Sequence, residues 1–171
     1  MNRDWNILNW NIRGINVSMK WTAANKIEES QCSIICLQET KKESFDNSYL
    51  KNFCPKRFGK FAFLPSNGAS GGLLIAWNEQ VFSGQIHHSN EFSLSAIFTS
   101  KHNGEQWILT NVYGPCQPDD KIIFLNWLQN FVTPDDTPWL LMGDFNFIRY
   151  PHNVAGKGVA SMICSLSMQQ S

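Results

Sequence analysis

Trp139-Leu140-Leu141-Met142-Gly143-Asp144-Phe145-Asn146 is the stretch on which the fold turns. Four apolar residues, Trp139 to Met142, make a run short enough for a strand buried on both faces. Gly143 permits a tight turn. Asp144 and Asn146 stand two positions apart, so a continued strand would carry both side chains out on one side at its carboxyl end. Open α/β sheets collect their chemistry there. A carboxylate beside an amide orients water and holds a phosphate oxygen or a metal ion. The same residues also suit an Asx-type turn that only closes the strand.

Upstream of this strand lies the loop Thr133 to Pro138, and before it a helix opened by Pro118-Asp119-Asp120, with acidic residues where the macrodipole favours them. Phe124, Trp127, Leu128, Phe131 and Val132 follow helical spacing and read as a core-facing stripe. Further back, Phe58 to Leu64, Gly72 to Trp77, Val81 to His88, Phe92 to Thr99 and Gln106 to Tyr113 read as five strands. Turn residues separate them, which favours antiparallel pairing. Pro65-Ser66-Asn67-Gly68 is one such turn. Tyr113 closes the last strand, where its hydroxyl could meet a phosphate or simply line a rim.

The N-terminal third has a different rhythm. Trp5 to Asn11 begins as a strand, and Gly14 marks the turn after it. Residues Lys20 to Glu29 read as a helix with Trp21, Ala24 and Ile27 on one face. Ser33 to Glu39 is a second strand with an apolar, β-branched centre, leaving through the polar Gln38-Glu39-Thr40. Strand, helix, strand favours an α/β architecture. Glu39 at the end of a buried strand suits a hard cation such as Mg²⁺, and Asn11 at the end of its own strand suits the orienting of a ligand. A solvated strand end and a turn-bonding amide are the simpler roles for the two. After Asn146 the rhythm is lost: Phe147 to Asn153 reads as a loop, the rest as a small, polar tail or frayed helix, with no further strand.

Composition bounds the function. A chain of 171 residues suits one domain, and 43% hydrophobic with 16% charged residues describes a globular protein. Net charge is zero, so no global basic footprint for nucleic acid exists, although a local patch is compatible with it. No apolar run reaches membrane-spanning length, and no membrane partner is expected. Cys32, Cys36, Cys54, Cys116 and Cys164 are odd in number and scattered, without zinc-site spacing, and read as reduced intracellular thiols.

Four motifs, each at a strand end, occur in order: Leu8-Asn9-Trp10-Asn11-Ile12-Arg13-Gly14, Leu37-Gln38-Glu39-Thr40-Lys41, Asn111-Val112-Tyr113-Gly114-Pro115 and Gly143-Asp144-Phe145-Asn146. Together they resemble the endonuclease/exonuclease/phosphatase family. The wording, with Gly71 to Trp77, is most similar to the endonuclease domain of plant non-LTR retrotransposon reverse transcriptases. The resemblance implies a four-layer α/β sandwich of two mixed β-sheets flanked by helices. It also implies Mg²⁺- or Mn²⁺-dependent hydrolysis of DNA phosphodiesters, with no organic cofactor and a nuclear location. It assigns Glu39 as metal ligand, Asn11 to metal and phosphate placement, Asp144 to orienting and deprotonating the attacking water, Asn146 to the scissile phosphate and Tyr113 to a further phosphate contact.

The family closes with a Ser-Asp-His signature that is found nowhere in these residues. The expectation is therefore a domain over residues 1–153 that is incomplete at its C-terminus, a divergent tail over 154–171, exposed strand edges and weak or no activity. His152 is the histidine nearest Asp144 in sequence and the one candidate to substitute, although ordinary loop histidines are commoner. A non-catalytic nucleic-acid-binding remnant and a phosphoesterase for small substrates are the alternatives. Oligomeric state is not encoded in any feature of the sequence.

Overall fold

The computed structural model describes residues 5–147 and 161–166. The chain runs β1 (Trp5–Asn11), α1 (Val17–Glu29), β2 (Ile34–Gln38), α2 (Asn47–Leu50), β3 (Phe58–Asn67), β4 (Ser70–Asn78), β5 (Phe82–Asn90), β6 (Ser93–Ser100), β7 (Gln106–Tyr113), α3 (Pro118–Asn130), β8 (Trp139–Asp144) and β9 (Ser161–Leu166), with a 3₁₀ turn at Pro134–Asp136 before β8. Two mixed sheets form, ordered β3-β4-β2-β1-β9 and β5-β6-β7-β8. β1 and β2 run parallel, as do β7 and β8; every other pair is antiparallel.

Strand alternation builds the layers. Trp5 and Ile7 of β1, Ile34 and Cys36 of β2, and Leu73, Ile75 and Trp77 of β4 meet Phe82, Leu94, Phe98, Trp107, Leu109 and Met142 of the other sheet in one buried cluster. The opposite face of the first sheet, through Leu8, Trp10, Ile35, Leu37, Leu74 and Ala76, packs with Ala23 and Ile27 of α1 and Leu50 of α2. The opposite face of the second sheet packs Val112 and Leu141 against Phe124 of α3. The result is the four-layer sandwich of two mixed sheets and flanking helices that the motifs imply.

Local differences from the sequence reading have physical causes. β3 continues through Pro65, Ser66 and Asn67, which read as a turn. β3 is an edge strand, where a proline without an N–H costs no ladder bond. Trp21 is 77% exposed, while Ala23 and Ile27 are buried. Two residues are about 200° of helical rotation, so Trp21 stands opposite Ala23. α3 ends at Asn130, which leaves Val132 outside the helical stripe and 81% exposed.

The largest correction is at the C-terminus. Ser161–Leu166 forms β9, which pairs antiparallel with β1 from Trp5↔Leu166 to Trp10↔Ser161. No strand was expected there, and the flank of β1 is thereby covered. The segment is only six residues long with serines at two of its positions, too weak a pattern to register before its partner strand is known. Among the described residues β8 pairs with β7 alone.

Candidate functional site

Each strand that reaches the site carries an apolar-to-polar change along the face it turns toward the other sheet. β1 passes from Trp5 and Ile7 to Asn9 and Asn11, β2 from Ile34 and Cys36 to Gln38, β7 from Trp107 and Leu109 to Asn111 and Tyr113, and β8 from Leu140 and Met142 to Asp144. Parallel pairing puts Asn11 level with Gln38 and Tyr113 level with Asp144. All four carboxyl ends therefore open at one end of the space between the sheets.

Beneath the opening lies a buried layer of three amides. Gln38 Nε2 donates to Asn9 Oδ1 at 2.8 Å and to Asn111 Oδ1 at 2.6 Å. Asn111 Nδ2 donates back to the Leu37 and Leu74 carbonyls, each at 3.0 Å. The layer ties β7 of one sheet to β2 and β4 of the other, and it fixes the sheet separation just below the site. Sequence reasoning gave these three residues no role. Their signal was a polar side chain on an otherwise apolar strand face, one alternation step or less from the motif residues.

Above this layer Asn11 Nδ2 donates to Glu39 Oε1 at 2.9 Å and to Asp144 Oδ2 at 2.8 Å. One amide thus holds two carboxylates from different sheets. Asn11 Oδ1 accepts from the Arg13 backbone N–H at 3.1 Å. Asp144 Oδ1 accepts from the Asn146 backbone N–H at 3.1 Å, and Asn146 Nδ2 donates to the Gly114 carbonyl at 2.6 Å. The strand ends at Asp144, and Asn146 sits at φ 51°. The Asx-type turn and the polar pair, posed as alternatives, are both present.

Backbone conformation aims these groups. Arg13, Glu39, Lys41 and Asn146 all have φ between 51° and 53°, a left-handed region sparsely used by residues other than glycine and asparagine. Glu39 follows Gln38, which faces the sheet interface, and simple alternation would send Glu39 the other way. The left-handed turn redirects it to Asn11. Gly143, at φ 143°, lies where any Cβ would overlap the Val112 carbonyl, so glycine alone lets β8 approach β7 at this point. Gln31 and Asp136 share this conformation away from the site, so the left-handed backbone orients these residues without by itself marking the cleft.

Tyr113 is half-buried with its hydroxyl beside Glu39. Burial first, then the neighbouring Glu39 carboxylate, pushes its pKa above the usual tyrosine value. It stays a neutral donor throughout the physiological range. Of the five residues named from the motifs, Asn11, Glu39, Asp144 and Asn146 are joined by hydrogen bonds, and Tyr113 stands beside Glu39. His152 lies outside the described residues. His87 and His88 are on β5, the far edge strand, against Phe131 and Trp127, and His102 is exposed in the β6–β7 turn.

The donor set is hard oxygen from Glu39, Asp144 and Asn11. Among the described residues no group of three or more His, Cys, Asp or Glu could hold a metal ion. Two carboxylates and an amide oxygen are the donors a hard divalent cation takes when it keeps several waters and binds substrate phosphate as well. Two carboxylates facing one amide also repel each other, and a divalent cation relieves that repulsion.

The model of the Endonuclease/Exonuclease/phosphatase family matches residues 8–154. A comparison with curated proteins gave no match. Among solved structures, the chain is similar to the human Nocturnin catalytic domain with bound sulfate anion (15% identity, TM-score 0.62, covering 86% of this chain and 68% of that one). It is similar to the AP endonuclease LMAP from Leishmania major (15%, 0.59, 83% and 55%). It is also similar to D. rerio TDP2 complexed with single strand DNA product (16%, 0.54, 85% and 62%). At these identities the likeness is one of fold, and this chain spans only part of each relative's length.

Proposed function

The chain belongs to the endonuclease/exonuclease/phosphatase family, and from that premise we propose that it is a metal-dependent phosphodiester hydrolase domain acting on DNA. The observation that carries the reading is the Asn11 amide joining Glu39 of one sheet to Asp144 of the other. The motif wording supports the narrower assignment to a retroelement endonuclease, whose DNA substrate would place its work in the nucleus.

Glu39, with Asp144 and Asn11 Oδ1 nearby, would hold Mg²⁺ or Mn²⁺. When bound, the ion supplies positive charge against a phosphate oxygen, as family members in general require. Every other element is the chain's own. Asp144 is fixed at both oxygens, by the Asn146 backbone N–H and the Asn11 amide. Its remaining lone pairs are thereby aimed to orient a water and take its proton. One Asn146 amide hydrogen is anchored on Gly114, which leaves the other to donate to a phosphate oxygen. Tyr113, held protonated, contributes a donor on the Glu39 side. Both Asn11 amide hydrogens are used on carboxylates, so besides offering Oδ1 to the ion it positions those carboxylates.

These residues contain no Ser-Asp-His. Loss of one donor to transition-state charge costs ~100- to 1,000-fold in rate. We therefore infer that this 171-residue chain nicks DNA weakly. The test is plasmid relaxation with Mg²⁺, with Mn²⁺ and with EDTA, on the wild type, Glu39→Gln and Asp144→Asn. Slow nicking that needs the cation and disappears in both variants is the expected result. Nicking that persists in EDTA or in Glu39→Gln refutes it. Turnover of a small aryl phosphate without nicking transfers the site to the small-phosphoester reading, and DNA binding without either leaves a binding remnant.

A further inference from the structure

On the other side of Tyr113 a cavity of about 500 Å³ opens between the β3–β4 hairpin and the loop from β7 to α3. That volume lies in the range of ~300–1,000 Å³ typical of small-molecule sites. Its walls are two-natured. Leu64, Phe92 and Pro115 supply apolar surface, while Glu91 and Asp120 supply carboxylates; among the described residues no Lys or Arg lines it. Tyr113 is common to this cavity and to the Glu39 network.

This composition disfavours a phosphate, because two carboxylates and no lysine or arginine are among the described residues that line it. It suits a flat, largely apolar group whose edge carries N–H donors. A phosphodiester held on the Glu39 side of Tyr113 has such a group covalently attached within one nucleotide. We propose that the cavity receives a nucleobase next to the scissile phosphate and prefers adenine and cytosine, whose amino groups sit at C6 and C4. Thymine and guanine present a carbonyl oxygen at the corresponding position, which a carboxylate repels. The proposal rests on the phosphodiesterase reading and adds a base preference to it.

Cys116 provides a probe independent of catalysis. It lines the cavity and is exposed, whereas Cys32, Cys36 and Cys54 are buried. The full chain is alkylated with iodoacetamide with Mg²⁺ present and again in EDTA, and the Cys116 peptide is followed by mass spectrometry. Excess deoxycytidine, deoxyadenosine or thymidine dinucleotide, or a dinucleotide with one abasic sugar, is added. The amino-bearing dinucleotides should slow labelling at least about fivefold more than the thymidine or abasic ones, the low end of one good base contact. Asp120→Asn, a partly exposed substitution at constant size, should narrow that preference. Equal protection by all four ligands, or unchanged labelling with every one, overturns the base pocket. Plasmid nicking is read separately, so cation-dependent nicking with unprotected Cys116 removes the pocket and leaves the hydrolase reading standing.

Discussion

Asn111 is the residue whose removal best tests how the site is supported. Its side chain makes three buried hydrogen bonds: one accepted from Gln38 at 2.6 Å and two donated to the Leu37 and Leu74 carbonyls at 3.0 Å. Asn111 is wholly buried, and no solvent replaces those bonds. Each is worth about 1 kcal/mol net, so Asn111→Ala should cost about 3 kcal/mol, before any penalty for the donor left on Gln38. With a urea m-value of about 2 kcal/mol/M for a domain of this size, the unfolding midpoint should fall by about 1.5 M. Gln38→Met keeps length and shape but loses the 2.8 Å and 2.6 Å bonds, and should cost about 2 kcal/mol. The two variants share one bond, so the double mutant should fall short of their sum by about 1 kcal/mol. Urea titrations followed by tryptophan fluorescence measure all three. A loss below about 1 kcal/mol for Asn111→Ala, or strict additivity in the cycle, would refute the idea that this amide layer sets the sheet separation.

Two further outcomes follow from the same geometry. Gly143→Ala drives a methyl into the Val112 carbonyl at a positive φ and should lower stability by about 2–4 kcal/mol, seen as a thermal midpoint about 5–15 °C lower; an unchanged midpoint would mean β8 does not need that close approach. Tyr113 has a folded-state pKa above its unfolded value of about 10, so its protonated form stabilises the fold fully below pH ~10 and that contribution is lost as pH rises above it. Tyr113→Phe should therefore lose less stability than the wild type between about pH 9 and pH 11 in paired urea titrations. The buried thiols Cys36 and Cys54, also raised by burial, shift both proteins alike.

How far the site could be read from sequence depends on what kind of force places each residue. The four polar strand ends were legible because strands have a period of two and parallel units gather their carboxyl ends at one edge. Asn11, Tyr113 and Asp144 needed little more than that, whereas Glu39 was named as a strand end although alternation alone points it away and only its left-handed turn at φ 52° brings it to Asn11. Asn146 was found for a reason only half right. Its position two residues after Asp144 suggested continued strand geometry, yet the chain turns left-handed and the amide is held by Gly114. β9 was not legible because its partner is β1, more than a hundred positions away, and pairing at that distance leaves little trace in a six-residue segment.

The amide layer escaped notice for a different reason, and it bears on how such a site is held. Asn9, Gln38 and Asn111 each look like an ordinary polar residue interrupting an apolar strand. Only when two sheets are stacked do the three side chains meet and satisfy one another. Apolar packing between the sheets is non-directional and tolerates small slides. Hydrogen bonds at 2.6–3.0 Å between wholly or largely buried amides tolerate very little, because a slide leaves an unpaired polar group in the core. Glu39 and Asp144 belong to different sheets, and one amide nitrogen spans them only if the sheets keep their register. A polar layer set just under the carboxylates converts a loose apolar interface into a fixed distance at the one place where the proposed chemistry demands it.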